Sequence, residues 1–354
     1  TVTFQSGVLA KPLVKACWEE GYFVTTGNCN EVGAIPVVLG GGFTVLQSRL
    51  GAVCDSLVEC KTVLASGEIV TISETSNSDL FWGIRGAGMY YGITLECTLK
   101  IHPFADVGRG GGQFWTAMLV LDVDSQEPAV LSAFEKLLQN EDPDIAGMIL
   151  MGSPPPAFKP ALIAVILYNG PAAEAEKVYS EILSLPHLFK QAGETPFYKI
   201  GDPFEAFNAK GGFKCLDGVG IQALKLDTVR ESFKHYRDFV AAHPDAVNSA
   251  VALEFAGKPL LTAPDTAFRH REGVRFWAQL VPWWTEEGTT AAATKFWDDQ
   301  LALFRRDQAD VFAYNNFGRR DNVEWRYPGG VLERLRTLKA KYDPSGTFTK
   351  EFLA

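Results

Sequence analysis

A mixed α+β fold follows from three features of this 354-residue sequence. Short alternating segments separated by turn signals fill residues 1–104, and strands alternate with long amphipathic helices from there to about residue 306. Between the two regions stands Gly108-Arg109-Gly110-Gly111-Gly112, a flexible junction where the composition changes.

In chain order, Thr1-Val2-Thr3-Phe4-Gln5 reads as a strand closed by Ser6-Gly7. No initiator methionine, signal peptide or polar lead-in precedes it, as expected of a chain that opens inside a domain. Val8 to Glu20 has helical spacing and meets a C-capping glycine at Gly21. The runs Leu57–Leu64 and Ile69–Ile72 flank Ala65-Ser66-Gly67-Glu68 and predict a hairpin. Ile93 to Ile101 alternates as a strand until His102-Pro103 stops it. Beyond the junction come a strand at Phe114–Leu121, a helix after Glu127, a buried strand at Ala161–Leu167 and a helix at Pro171–Leu185. Val247–Phe255 and Gly273–Val281 are strand-like. Thr289–Ala309 is helical, with Phe296, Trp297, Leu301 and Phe304 on one face. A last helix spans Val331–Lys341 and ends at Tyr342-Asp343-Pro344.

The length suffices for two modest domains, and 47% hydrophobic residues supply a substantial core. A net charge of −9 argues against a nucleic-acid partner, and no apolar run is long enough to span a bilayer. Six cysteines without CxxC spacing and five scattered histidines give no support to a metal centre or a dense disulfide framework.

Chemistry concentrates near the start. Gly27-Asn28-Cys29-Asn30-Glu31-Val32-Gly33 precedes Leu39-Gly40-Gly41-Gly42-Phe43, so a thiol stands close to three residues of bare backbone. This combination suits a cofactor seat; it equally suits a tight turn beside a small buried cysteine.

Several separated motifs agree on one family. Cys29, Gly40-Gly41-Gly42-Phe43 and Ser48-Arg49-Leu50-Gly51 resemble the glycine-rich signature of berberine bridge enzyme-like FAD-linked oxidases. So do Ser78-Asp79-Leu80-Phe81-Trp82-Gly83-Ile84-Arg85-Gly86-Ala87-Gly88 and Tyr91-Gly92-Ile93. Asp265–Arg271 looks like that family's substrate-domain segment. Tyr314-Asn315-Asn316-Phe317 and Leu338–Pro344 look like its C-terminal flavin contacts. These enzymes belong to the vanillyl-alcohol oxidase and p-cresol methylhydroxylase (PCMH) superfamily.

The resemblance implies a PCMH-type flavin domain in truncated form (1–104 and 307–354) around a substrate domain (105–306), whose antiparallel sheet is flanked by helices. It implies FAD as cofactor, bonded through a thioether at Cys29, packed by Gly40, Gly41 and Gly42, and contacted by Tyr314 and Asn316. A sulfur substituent would draw electron density from the ring and favour hydride acceptance. The sequence also departs from the family. No Arg-x-x-Gly-His segment of the pyrophosphate-binding half is present, Ala34-Ile35-Pro36-Val37 stands where glycines and a histidine are usual, and Tyr327-Pro328-Gly329 lacks the usual asparagine. The tail Phe352-Leu353-Ala354 is apolar. Two explanations are open: part of an ordinary flavoenzyme, or a descendant that has lost FAD and keeps the cleft.

Three residues are candidate acid–base groups, in the order Glu254, Tyr168 and His270. Glu254 sits among apolar strand residues, where burial raises a carboxyl pKa, or else it points outward. Tyr168 ends a buried strand and offers a phenolate or a core cap. His270, between Arg269 and Arg271, serves as a proton shuttle or joins a salt-bridge hub with Asp265. Trp277, Trp283 and Trp284 line a cleft or fill the core. The expected function is FAD-linked oxidation of a small hydrophobic or aromatic secondary metabolite. The alternative is non-redox cyclisation, isomerisation, dehydration or a pericyclic step. A third reading is a binding protein that completes a flavin site with another chain or a second copy, through the strand edge at Phe4. Secreted and cytoplasmic locations both remain open.

Overall fold

One sheet is half-exposed and alternates, whereas the central strands of the other are apolar and buried on both faces. A computed structural model describes residues 1–121, 123–260, 262–269, 274, 276–317 and 323–349. The smaller sheet takes β1 (Val2–Gln5), β3 (Leu57–Val63), β4 (Ile69–Ser73) and β5 (Ile93–Leu99), in the antiparallel order β1-β5-β3-β4. A separate ribbon pairs β2 (Tyr22–Val24) with β6 (Ile101–Pro103). β1 is an edge strand whose Phe4 turns into the core. The predicted hairpin is β3–β4, and the predicted first helix runs Ala10–Glu19, burying Leu13, Val14 and Cys17.

The second sheet has seven antiparallel strands: β7 (Gln113–Leu121), β8 (Ile145–Gly152), β9 (Ala161–Tyr168), β10 (His187–Pro196), β12 (Asp217–Ile221), β13 (Ala250–Ala256) and β14 (Phe276–Val281). Their spatial order is β10-β7-β9-β8-β13-β14-β12. The short β11 (Phe213–Lys214) and β15 (Trp283–Trp284) pair beside it. Helices Val123–Gln139, Leu226–Ala242 and Thr290–Arg305 cover one face, packing Phe134, Phe233 and Phe304 on Leu119, Ile166 and Leu253. On the other face, Met148, Leu150, Val165, Leu167 and Ala252 join the core of the small-sheet half. Period-two alternation therefore decides which side chains meet that half.

The chain returns to the small-sheet half at its end. Helix Val331–Tyr342 lays Leu335 and Leu338 against helix Ser78–Ala87, where a Cβ on Gly83 would stand 2.7 Å from Leu338. Its Lys339, fully buried, donates to the Tyr90 carbonyl and to Asp343, each at 2.6 Å.

Two local features differ from expectation. Ala34–Leu39 forms a helix with Pro36 in its first turn, where a missing N–H costs nothing, and it buries Ile35, Val37, Val38 and Leu39. The expected helix Pro171–Leu185 splits into Ala172–Val178 and Ser180–Ser184. Buried Tyr179 sits at the break and donates to the Leu167 carbonyl at 2.5 Å.

Candidate functional site

Glu254 lies on the β13 face that meets the small-sheet half, partly shielded from solvent. Two amide side chains hold its carboxylate: Asn28 donates to Oε1 and Gln279, from the neighbouring strand β14, donates to Oε2. Burial pushes the Glu254 pKa up to about 7, and the two donated hydrogen bonds act against that rise. Around it lie two voids of about 10 Å³ each. One is lined by Asn28, Met148, Leu167 and Phe204, the other by Phe43, Gln47 and Trp277. The strand pattern reveals Glu254. Asn28 and Gln279 carry no such signal, because ordinary amides become partners only through tertiary packing.

The Asn28–Asn30 turn is roofed by the segment Asp202–Asn208. Asp202 and Glu205 receive Lys11 Nζ at 2.8 and 2.9 Å, and Asn30 Nδ2 at 2.9 Å each. Cys29 Sγ donates to Asn208 Oδ1 at 3.1 Å, while the buried Asn208 Nδ2 has no partner among the described residues. Gly201 permits this close approach, since a Cβ there would lie 2.4 Å from Asn30 Oδ1.

Gly40, Gly41, Gly42, Tyr314 and Asn316 come together as the sequence suggests. Gly42 N–H donates to the Tyr314 hydroxyl at 3.0 Å, and Asn316 Nδ2 donates to the same oxygen at 2.7 Å. Their space is filled by protein. A Cβ on Gly40 would lie 2.0 Å from Asn316, and one on Gly41 (φ +108°) 2.4 Å from the Phe268 ring. Gly86 (φ +126°) accommodates the Phe268 backbone in the same way. Phe268, Phe43, Tyr314 and Trp277 form one aromatic cluster, with Phe43 4.5 Å from Trp277 and 4.7 Å from Tyr314 between ring centroids. Around these glycines the neighbouring atoms are those of Asn316, Phe268 and Val53.

Tyr168 is placed away from this site, contrary to its expected role as an acid–base group facing the cofactor. It faces the helix-covered side of the sheet, opposite Glu254, because its position in β9 has the parity of Ile166 and Ala164. Its hydroxyl lies within 3.1–3.3 Å of Arg109, Glu174 and Asp142, and burial raises its pKa to about 12. It caps a structural hub. Asp144, almost fully buried, receives Arg49 at 2.5 and 2.7 Å and Arg109 at 3.1 Å. His270 lies outside the described residues; next to it, Arg269 pairs with Asp265 at 2.9 Å. Trp277 and Trp284 are core, whereas Trp283 borders a groove.

Beside the aromatic cluster opens a cleft of about 770 Å³, walled by Phe43, Gly51, Ala52, Ser56, Arg85 and Phe268 among others. Its volume lies within the range of cofactor sites. Arg85 and Lys100 on its walls are offset by Asp55, Glu59 and Glu74.

Residues 1–73 match the FAD binding domain family. The sequence is 27% identical to the FAD-linked oxidoreductase hasG of Aspergillus fumigatus and 28% identical to the FAD-linked oxidoreductase OXR1 of Pyricularia oryzae. Both alignments cover 98% of this chain, and they cover 76% and 70% of the relatives. Among solved structures, Physcomitrella patens BBE-like 1 superposes with a TM-score of 0.82 at 20% identity, over 97% of this chain and 75% of that one. The glucooligosaccharide oxidase of Acremonium strictum, described with a 6-S-cysteinyl, 8α-N1-histidyl FAD, gives 0.81 at 20% identity over 98% and 76%. The family match and the full-length relatives together support a flavoprotein. The chain is an FAD-dependent oxidoreductase whose fold is similar to that of berberine bridge enzyme-like structures.

FAD fits this chain by size in the cleft rather than in the closed glycine seat. Phe43 and Phe268 offer aromatic walls, Gly51-Ala52 offers backbone, and Arg85 offers a cation. The balance of wall charges supplies little compensation for a diphosphate.

Proposed function

We propose that this enzyme oxidises a small hydrophobic or aromatic metabolite at a hydroxyl-bearing carbon or phenol, with Glu254 taking the hydroxyl proton. The small-sheet half and the C-terminal segment serve as the cofactor half, and the seven-stranded sheet serves as the substrate half. Bound FAD supplies the hydride acceptor. The carrying observation is the Glu254 carboxylate, held by Asn28 and Gln279 and tuned to about 7, where proton acceptance at neutral pH is efficient. Apolar Met148, Leu167 and Phe204 around it exclude water and favour a hydrophobic substrate. Turnover of the Glu254→Gln variant tests the assignment: loss of the pH inflection near 7 supports it, and an unchanged profile overturns it.

A second reading draws support from the closed glycine seat. The same carboxyl in the same apolar pocket suits a non-redox step, such as isomerisation, cyclisation, dehydration or a pericyclic reaction, in which Glu254 moves a proton and the pocket sets orientation. Titration of the chain with FAD, followed by absorption and intact mass, separates the readings. Saturable binding, with or without a mass increment on the Cys29 peptide, favours oxidation. A chain that stays colourless favours the second reading.

A further inference from the structure

The seven-stranded sheet is wider than the half that covers it, and the uncovered part of its face forms a groove of about 660 Å³. Its floor is Met118 and Val120 of β7, Leu150 of β8, and Ile163 and Val165 of β9. Phe204 and Phe207 of the strapped segment form one side, and the loop Pro154–Pro160 forms another. Phe158, Leu188 and Phe189 stand at the mouth, 49%, 72% and 44% exposed. The floor continues toward Glu254, because Met148 and Leu167 of the adjoining void follow Leu150 and Val165 at the next same-face positions. Phe204 borders both spaces. From Gly152 to Met148 is four residues of strand, or ~13 Å.

The polar lining of this groove is sparse. The Ser153 hydroxyl is bonded to Tyr236 at 2.8 Å, and the Ser249 hydroxyl receives Trp283 N–H at 2.9 Å and contacts the Trp283 carbonyl at 3.1 Å. Lys159 and Asn248 are exposed at its rim. A sugar chain laid here would strand its hydroxyls against leucine, isoleucine and valine without hydrogen-bond partners. An alkyl, acyl or prenyl chain would bury its methylenes without that loss.

We propose that the groove binds the linear apolar tail of the substrate, whose reacting head lies at Glu254. The inference rests on the reading of Glu254 as proton acceptor, and it adds the chemical class and length of the attached chain. Calorimetric titration of the chain with a series of primary alcohols from hexanol to tetradecanol, and with cellobiose, tests it directly. Affinity should rise by up to about fourfold per added methylene until the ~13 Å of sheet floor is covered, then level off, with cellobiose binding undetectable. Ile163→Gln and Met118→Gln should each flatten this chain-length dependence by at least tenfold at dodecanol, with unchanged circular dichroism confirming the fold. Affinity independent of chain length, preference for cellobiose, or wild-type dodecanol binding in both variants would overturn the proposal. The Glu254→Gln variant should keep the wild-type gain per added methylene, whatever the change at the head group. The groove and the acid–base assignment can therefore fail separately: the first in binding, the second in the pH profile of turnover.

Discussion

At Glu254, burial and hydrogen bonding pull in opposite directions, and burial prevails. The carboxyl is raised from its ordinary value near 4.5 to about 7, so between those values the folded chain keeps a proton that the unfolded chain releases. Its contribution to stability therefore falls as pH climbs through this window and is flat above it. Glu254→Gln should remove that slope, gaining on the order of 3 kcal/mol relative to wild type at pH 8, as read from melting curves across pH. The same change should lower turnover by about 10²–10⁴-fold. Asn28→Ala deletes one donor to the ionised form, so the inflection in the pH–rate profile should move upward. In the sequence, Glu254 is legible as an acid inside an apolar strand. The direction of Tyr168 is legible only once the register of β9 is known, because a tyrosine at a strand end fits either face. Cys29 shows the limit of motif reading. The motif marks its neighbourhood as a cofactor seat, yet the thiol's partner, Asn208, comes from a segment with no signature of its own.

Among the elements, the strap Asp202–Asn208 has the least support of its own. It is a short 3₁₀ turn without a fully buried residue, held by Lys11, Asn30 and Cys29. Because the Lys11 pairs are about one-third exposed or more, Lys11→Ala should cost only about 0.5–1 kcal/mol of global stability. Amide exchange in residues 202–208 should nevertheless accelerate several-fold, with the remaining strands unchanged. The hairpin β3–β4 and the strands β7 and β9 are legible from alternation and from Gly67 in the turn. β10 is not: its residues are exposed or half-buried, so packing imposes no period on them, and pairing with β7 alone makes them a strand. Ala34–Leu39 is hidden for another reason, since proline within an apolar run reads as a break unless it falls in the first turn.

On the scale of the whole molecule, one buried carboxylate joins the two halves. Asp144, just before β8, binds Arg49 from the glycine-motif region and Arg109 from the junction. Replacing it with alanine strips the partly buried Arg49 of its carboxylate while Arg109 keeps Glu174, and should cost about 1–3 kcal/mol, lowering the melting midpoint. Wild type should melt in one calorimetric transition, because the sheet face carrying Met148, Leu150 and Leu167 shares a core with the small-sheet half. The α+β class can be read from the residue pattern along the chain. The contact between the halves cannot, since it depends on which strand face each residue occupies.

Phe43 gives this arrangement a further property. Its ring stands in the wall of the 770 Å³ cleft and also in the wall of a void at Glu254. Any occupant of the cleft that turns this ring also resizes the space beside the carboxyl. The two compartments therefore share a partition, and a shift of that ring by an occupant of one would couple their affinities. Thermodynamic reciprocity requires the effect to be equal in both directions.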